Sequence, residues 1–144
     1  MRIERRHANE LDRMFLEDVH VRALGPVALV GYGWTAQRLL AQFHREVRLA
    51  NCEVISVDGR DAGYVSIEDR GTCWYIDAFA IAPNFQRKGV GAEALRSVLA
   101  DAGTTPVRLS VLKVNRARSL YTRIGFQVIG GDARRELMEW RAAA

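Results

Sequence analysis

Cysteine is scarce in this sequence: Cys52 and Cys73 are the only two, each alone beside a strand-like run. With no metal-ligand spacing and no disulfide framework, two reduced thiols and no metal site are expected. Long apolar runs are also missing. The longest reach about eight residues against the roughly 20 that cross a bilayer, which excludes a transmembrane helix and a membrane partner. The first residues, Met1-Arg2-Ile3-Glu4-Arg5-Arg6-His7, carry basic charge but no apolar segment after it, so they do not read as a secretory leader, and a cytoplasmic protein is expected. Blocks of one charge are absent too. The 21 Lys and Arg residues and the net charge of +4 are spread along the chain, and no strand interleaves basic and aromatic residues as nucleic-acid-binding faces do. A nucleic-acid partner is therefore not expected, whereas an anionic small molecule accounts for a local positive site. No repeat, low-complexity tract or Pro/Ser-rich linker divides the chain. Its 49% hydrophobic and 26% charged residues fit one globular domain over residues 1–144.

The periodicity outlines eleven elements. A first strand near residues 2–6 precedes a helix capped by Asn9, with Leu11, Met14, Phe15 and Val19 on one side and Gly25-Pro26 ending it. An apolar, Gly-rich segment from 27 to 34 leads to Thr35, which caps a second helix burying Leu39, Leu40, Phe43 and Val47. The period then becomes that of strands: 53–57, 63–68 and 72–81, joined by Asp58-Gly59 and Asp69-Arg70-Gly71 turns into an antiparallel meander. A helix over 92–102 stops at Gly103, a strand covers 107–112, and Asn115 caps a helix over 116–123. A last hairpin joins 126–129 to 135–141 through Gly130-Gly131-Asp132. The fold class is α+β. The apolar tail strand around Leu137, Met138 and Trp140 offers an edge for pairing in a homodimer. His7, His20 and His44 form no catalytic or metal spacing and are expected on the surface or on helix faces.

One segment carries chemistry. A strand runs directly into Gln86-Arg87-Lys88-Gly89-Val90-Gly91-Ala92 and then into a helix. Glycines there let backbone N–H groups approach an anion, and the helix start adds partial positive charge. Neither the dinucleotide-binding spacing nor a Gly-Lys-Ser/Thr phosphate loop is present. Arg87 and Lys88 can supply charge to a diphosphate and a 3′-phosphate; the plain alternative is a strand–helix turn with a solvated basic pair.

In context the loop resembles the acetyl-CoA loop of the GNAT (general N-acetyltransferase) superfamily. Ala80 to Gly91 looks like that family's motif from sheet to pyrophosphate loop, and Asn115 to Phe126, with Tyr121 and Gly125, looks like its second signature. The two motifs and the strands before them cover about residues 53–130; residues 1–52 agree in element order only. The resemblance implies a mixed, mostly antiparallel sheet of about seven strands flanked by about four helices, with a splayed strand pair holding acetyl-CoA as cosubstrate. It implies backbone contacts from Phe79, Ala80 and Ile81 to pantetheine and the thioester oxygen, a cofactor contact from Asn115, and Tyr121 beside the sulfur as acid, unless its ring is only core. Strand alternation places Tyr75, Asp77 and Phe79 on one face, where Asp77 is a base, an amine anchor or a local hydrogen-bonding group. Tyr32 and Trp34 form an aromatic wall for the acceptor or belong to the core. The expected activity is N-acetyl transfer from acetyl-CoA to a primary amine on a small molecule or protein, by direct attack, since neither cysteine stands beside a base. The alternative is a catalytically inactive acyl-CoA-binding sensor.

Overall fold

Strand-forming residues separated by tight turns build one sheet in the protein, whose computed structural model describes residues 1–143. The strands are β1 (Ile3–His7), β2 (Cys52–Val57), β3 (Arg60–Asp69), β4 (Trp74–Ile81), β5 (Val107–Leu112), β6 (Gln127–Gly131) and β7 (Arg135–Trp140). Their spatial order is β1-β2-β3-β4-β5-β7-β6. Every neighbouring pair is antiparallel except β4 and β5, which are parallel and joined through a crossover helix. Asp58-Gly59 closes the β2–β3 hairpin with φ of 50° and 84°, the two positive angles that a two-residue turn of the strand-matching hand requires.

Four helices cover the sheet: α1 (Arg13–Tyr32), α2 (Ala36–Glu46), α3 (Val90–Ala102) and α4 (Ala117–Ile124). On one face, Leu16 and Val19 of α1 and Phe43 of α2 pack against Val54, Tyr64, Ala78 and Ala80. On the other, Ala94, Leu95, Val98 and Leu99 of α3 meet Ile55, Val65, Val107 and Leu109, with Tyr121, Phe126 and Met138 completing the layer. Each Leu, Val or Phe so buried contributes about 1.5–3 kcal/mol of transfer free energy, and the two layers hold the sheet between them.

The element order agrees with the sequence pattern, and four local expectations are corrected. Gly25-Pro26 does not end the first helix; α1 continues through Pro26 to Tyr32. Proline at that point removes one N–H, so the Arg22 carbonyl loses its helical partner, but the turns beyond are anchored by the buried Ala28. The helix stops instead at Gly33, whose φ of 69° needs no Cβ penalty. Leu11 and Met14 are exposed, and the buried stripe is Leu16, Val19 and His20. His20 is thus a core residue rather than a surface one: Nδ1 lies 2.6 Å from the Tyr64 hydroxyl and Nε2 3.1 Å from Gln42 Oε1. Finally, β7 is hydrogen-bonded to β5 and β6 on its two sides, so Leu137, Met138 and Trp140 present no edge for a second copy; the strand at that end of the sheet is β6.

Candidate active site

The sheet opens where its two parallel strands part. β4 and β5 pair only over Trp74–Val107, Tyr75–Arg108 and Ile76–Leu109. Beyond these, β4 follows β3 as far as Ile81 while β5 follows β7 as far as Leu112. Ala82 N–H donates to Ala62 O at 2.8 Å, and the alternation of an antiparallel ladder then turns the Ala80 N–H and C=O toward β3 as well. Ala80 therefore offers no free backbone to the opening, contrary to expectation. The Phe79 and Ile81 groups face it, with the Ile81 carbonyl accepting from Gln86 Nε2 at 2.8 Å.

Below the opening, the Gly-rich loop meets a cavity of about 790 Å³. Gly89 at φ 80° starts α3 in the left-handed region, and Arg87 shares that region at φ 62°. The first helical bond of α3 runs from Glu93 N–H to Gly89 O, so the Val90, Gly91 and Ala92 amides carry the unpaired positive end of the helix. Gln86, Arg87, Gly89, Gly91 and Ala92 line the cavity. Lys88 is on the loop but does not line it, and the Val90 side chain is buried in the core. Gln86 braces the loop against β4. Three arginines not singled out from the sequence join Arg87 here, Arg22 from α1, Arg116 just before α4 and Arg123 within it; the seven-residue spacing of the last two, about two helical turns, was the available clue. Four guanidiniums and a helix start suit an extended polyanion such as the diphosphate and 3′-phosphate of coenzyme A.

A second cavity, of about 520 Å³, lies above the opening between the sheet, α1 and α2. Phe79, Asn115 and Tyr121 line both cavities. Asn115 Oδ1 accepts the Ala117 N–H at 2.9 Å, which starts α4 and points Tyr121 inward. Tyr121 packs its ring on Phe126 at 5.7 Å, and burial pushes its phenol up to about 12, so it stays protonated at neutral pH. The core and acid readings describe the same placement.

Asp77 is displaced from strict alternation. Ser66 pairs with Ala78 but Ile67 pairs with Ile76, which makes Asp77 the extra residue of a β-bulge. Tyr75 and Asp77 line the upper cavity, whereas the Phe79 ring packs on the α3 side, with Cε1 3.9 Å from the place a Gly91 Cβ would take. The expected common face of Tyr75, Asp77 and Phe79 is thus broken, and the bulge aims Asp77 at the mouth of the opening. Burial, with Glu68 adding and Arg70 opposing, pushes the Asp77 carboxyl up to about 6. Tyr32 and Trp34 stack at 4.9 Å and line the same cavity. Gln42, Glu46, Ser110 and Arg135 line it too and were not found from the sequence, because nothing local marks them. Burial raises the Cys52 thiol to about 11, far from a thiolate at neutral pH.

A mostly antiparallel sheet that opens between two parallel strands, with a helix start among arginines on one side and a half-buried carboxylate on the other, has the architecture of an α+β acyltransferase fold. The chain belongs to the GNAT family of acetyltransferases, whose family model matches residues 12–126. No curated protein sequence matches it. Among solved structures it is similar to a protein from Pyrococcus horikoshii OT3, with TM-score 0.76 and 19% identity over 99% of this chain and 100% of that one. It is similar to the PaiA N-acetyltransferase of Thermoplasma acidophilum in complex with coenzyme A, with TM-score 0.70 and 18% identity over 99% and 100%. The ribosomal-protein-S18-alanine N-acetyltransferase of Escherichia coli gives TM-score 0.71 and 15% identity over 99% and 96%. At such identities the likeness is one of fold.

Proposed function

We propose that this chain transfers an acetyl group from acetyl-CoA to a primary amine by direct attack. The observation that carries the reading is the pair of cavities meeting at Phe79, Asn115 and Tyr121, where β4 and β5 separate. The lower cavity suits the cosubstrate, with Gly89, Gly91, Ala92 and Arg87 around its phosphates; Arg22, Arg116 and Arg123 complete the charge. Acetyl-CoA supplies an activated acyl group and a thiolate leaving group.

Asp77 takes the proton from the bound ammonium, and its raised value brings it near the range in which a carboxylate works as a base at neutral pH. The Phe79 and Ile81 N–H groups, left unpaired by the strand separation, donate to the carbonyl oxygen as negative charge develops there. Tyr121 holds a proton for the departing sulfur. The new N–C bond forms and the C–S bond breaks: one ammonium proton leaves through Asp77, Tyr121 gives its proton to the departing sulfur, and the second proton lost from nitrogen restores the Tyr121 phenol. Stacked Tyr32 and Trp34 shield the amine side from water. No nucleophilic side chain is required, in keeping with the raised Cys52 thiol. Thiol release on mixing the protein, acetyl-CoA and a panel of amines tests the reading. Calorimetric binding of acetyl-CoA without thiol release from any amine would instead mark a sensor.

A further inference from the structure

Arg135 takes no part in forming the amide, yet it is built into the amine-side cavity. It enters β7 opposite Leu112, and its side chain turns back along β5. Nε donates to Ser110 Oγ and Nη2 to the Ser110 carbonyl, both at 2.8 Å, while Nη1 donates to the Tyr32 hydroxyl at 3.2 Å. A guanidinium has five N–H donors, so two remain unused. No carboxylate among the described residues pairs with it; Asp132 accepts the Arg135 backbone N–H, not the guanidinium. A half-buried cation fixed by neutral partners, with donors left over, is a preorganised receptor for an anion.

The same cavity is also lined by Asp77 and Glu46, and the Tyr75 phenol lies within electrostatic reach of both Arg135 and Asp77. Further positive charge lies beside the aromatic pair. Arg38 sits 4.9 Å from the Trp34 ring and Arg134 5.6 Å from the Tyr32 ring, so arginines flank the aromatic pair. A diamine would set its second cation against these arginines, and the first residue of a peptide has an amide where a free amino acid offers Arg135 its carboxylate. Resting on the reading of amine acetylation above, we propose that the acceptor is a free amino acid, its ammonium held at Asp77 and its carboxylate at Arg135.

Matched acceptors test this by thiol release: phenylalanine, phenylalaninamide and phenethylamine in one series, 4-aminobutyrate and butylamine in another with a longer spacing. In at least one series the acid should exceed its counterparts without a carboxylate in kcat/KM by about 10-fold or more, the worth of hydrogen bonds to a charged group. Arg135→Gln should collapse that ratio with acetyl-CoA affinity unchanged. Should Arg135→Gln not fold, Ser110→Ala, which frees Nε but keeps the charge, should shrink the ratio instead. Thermal shift of the CoA-loaded protein by the same acids gives a readout independent of turnover. Thiol release without preference for the acids, or with phenylalaninamide ahead, overturns the assignment and leaves amine acetylation standing. Acids that bind through Arg135 with no thiol released uphold the receptor and overturn the acetylation.

Discussion

Asp77 and Tyr121 are the residues whose chemistry and stability can be separated. If Asp77 is the base, kcat/KM should fall about tenfold per pH unit below its value of about 6, and Asp77→Asn should lower the rate at pH 7.5 and flatten that limb; unaltered turnover across pH would sink the role. The stability effect has the opposite sign. Because the folded value lies above the ordinary 3.8, the folded state binds the proton more tightly; that contribution is full below about pH 4 and is lost as pH rises through about 6. Asp77→Asn should therefore raise the melting temperature at pH 7.5 while slowing the reaction. For Tyr121, Phe keeps the packing on Phe126 and removes the proton, so kcat should drop on the order of 10²-fold with acetyl-CoA affinity unchanged. Tyr121→Ala should cost about 3 kcal/mol of stability through the cavity it leaves, measured by denaturant unfolding. A full-rate Tyr121→Phe protein, with chemistry limiting turnover, would leave the ring a core residue only. Tyr121 was legible in the sequence because its neighbours repeat a signature. Arg135 was not, since its importance comes from Ser110 and Tyr32, 25 and 103 residues away.

The loop between β4 and α3 was the most legible element, since a Gly-x-Gly opens the helix that follows the strand and the physics of that start is local. Gly91 separates ligand binding from folding better than Gly89. A Cβ at Gly91 meets nothing nearer than Leu120 Cδ2 at 3.6 Å, whereas Gly89 is held at φ 80°. Gly91→Glu should fold normally and lose acetyl-CoA binding by calorimetry, because a carboxylate would oppose the diphosphate at the helix start; parental affinity in that variant would unseat the loop assignment. The first helix was misread for the opposite reason. A Gly-Pro pair is a local stop, and tertiary packing overrode it, carrying α1 on to the Gly33 cap. Pro26→Ala restores the missing hydrogen bond to Arg22 and should stabilise the protein by about 2 kcal/mol in denaturant unfolding. A destabilised variant would mean that the proline is packed in a way an alanine cannot replace. The bulge at Asp77 escaped detection too: a two-residue alternation assumes an unbroken ladder, and the slip opposite Ser66 and Ile67 exists only once β3 is paired.

Across the whole molecule, two faces of one sheet divide the labour. The α3 and α4 side presents the helix start and two arginines to the lower cavity, α2 walls the upper one, α1 borders both and adds Arg22 to the lower, and the cavities meet at the gap that opens after Ile76–Leu109. The strand order explains that gap: β7 lies between β5 and β6 and draws β5 away, while β3 keeps β4. Element order was readable from periodicity, but the insertion of β7 was not, because nonlocal pairing leaves no mark on the period of a strand. Direct transfer is measured by supplying acetyl-CoA labelled in its acetyl carbon together with amino acids and simple amines, and counting free thiol, N-acetyl product and acetylated protein. Direct attack should give thiol and N-acetyl amine in equal amounts, with no acetyl group retained on the protein by intact mass. Acetyl carried on Cys52 or Cys73, or bound acetyl-CoA that yields neither thiol nor amide with any acceptor, would contradict it.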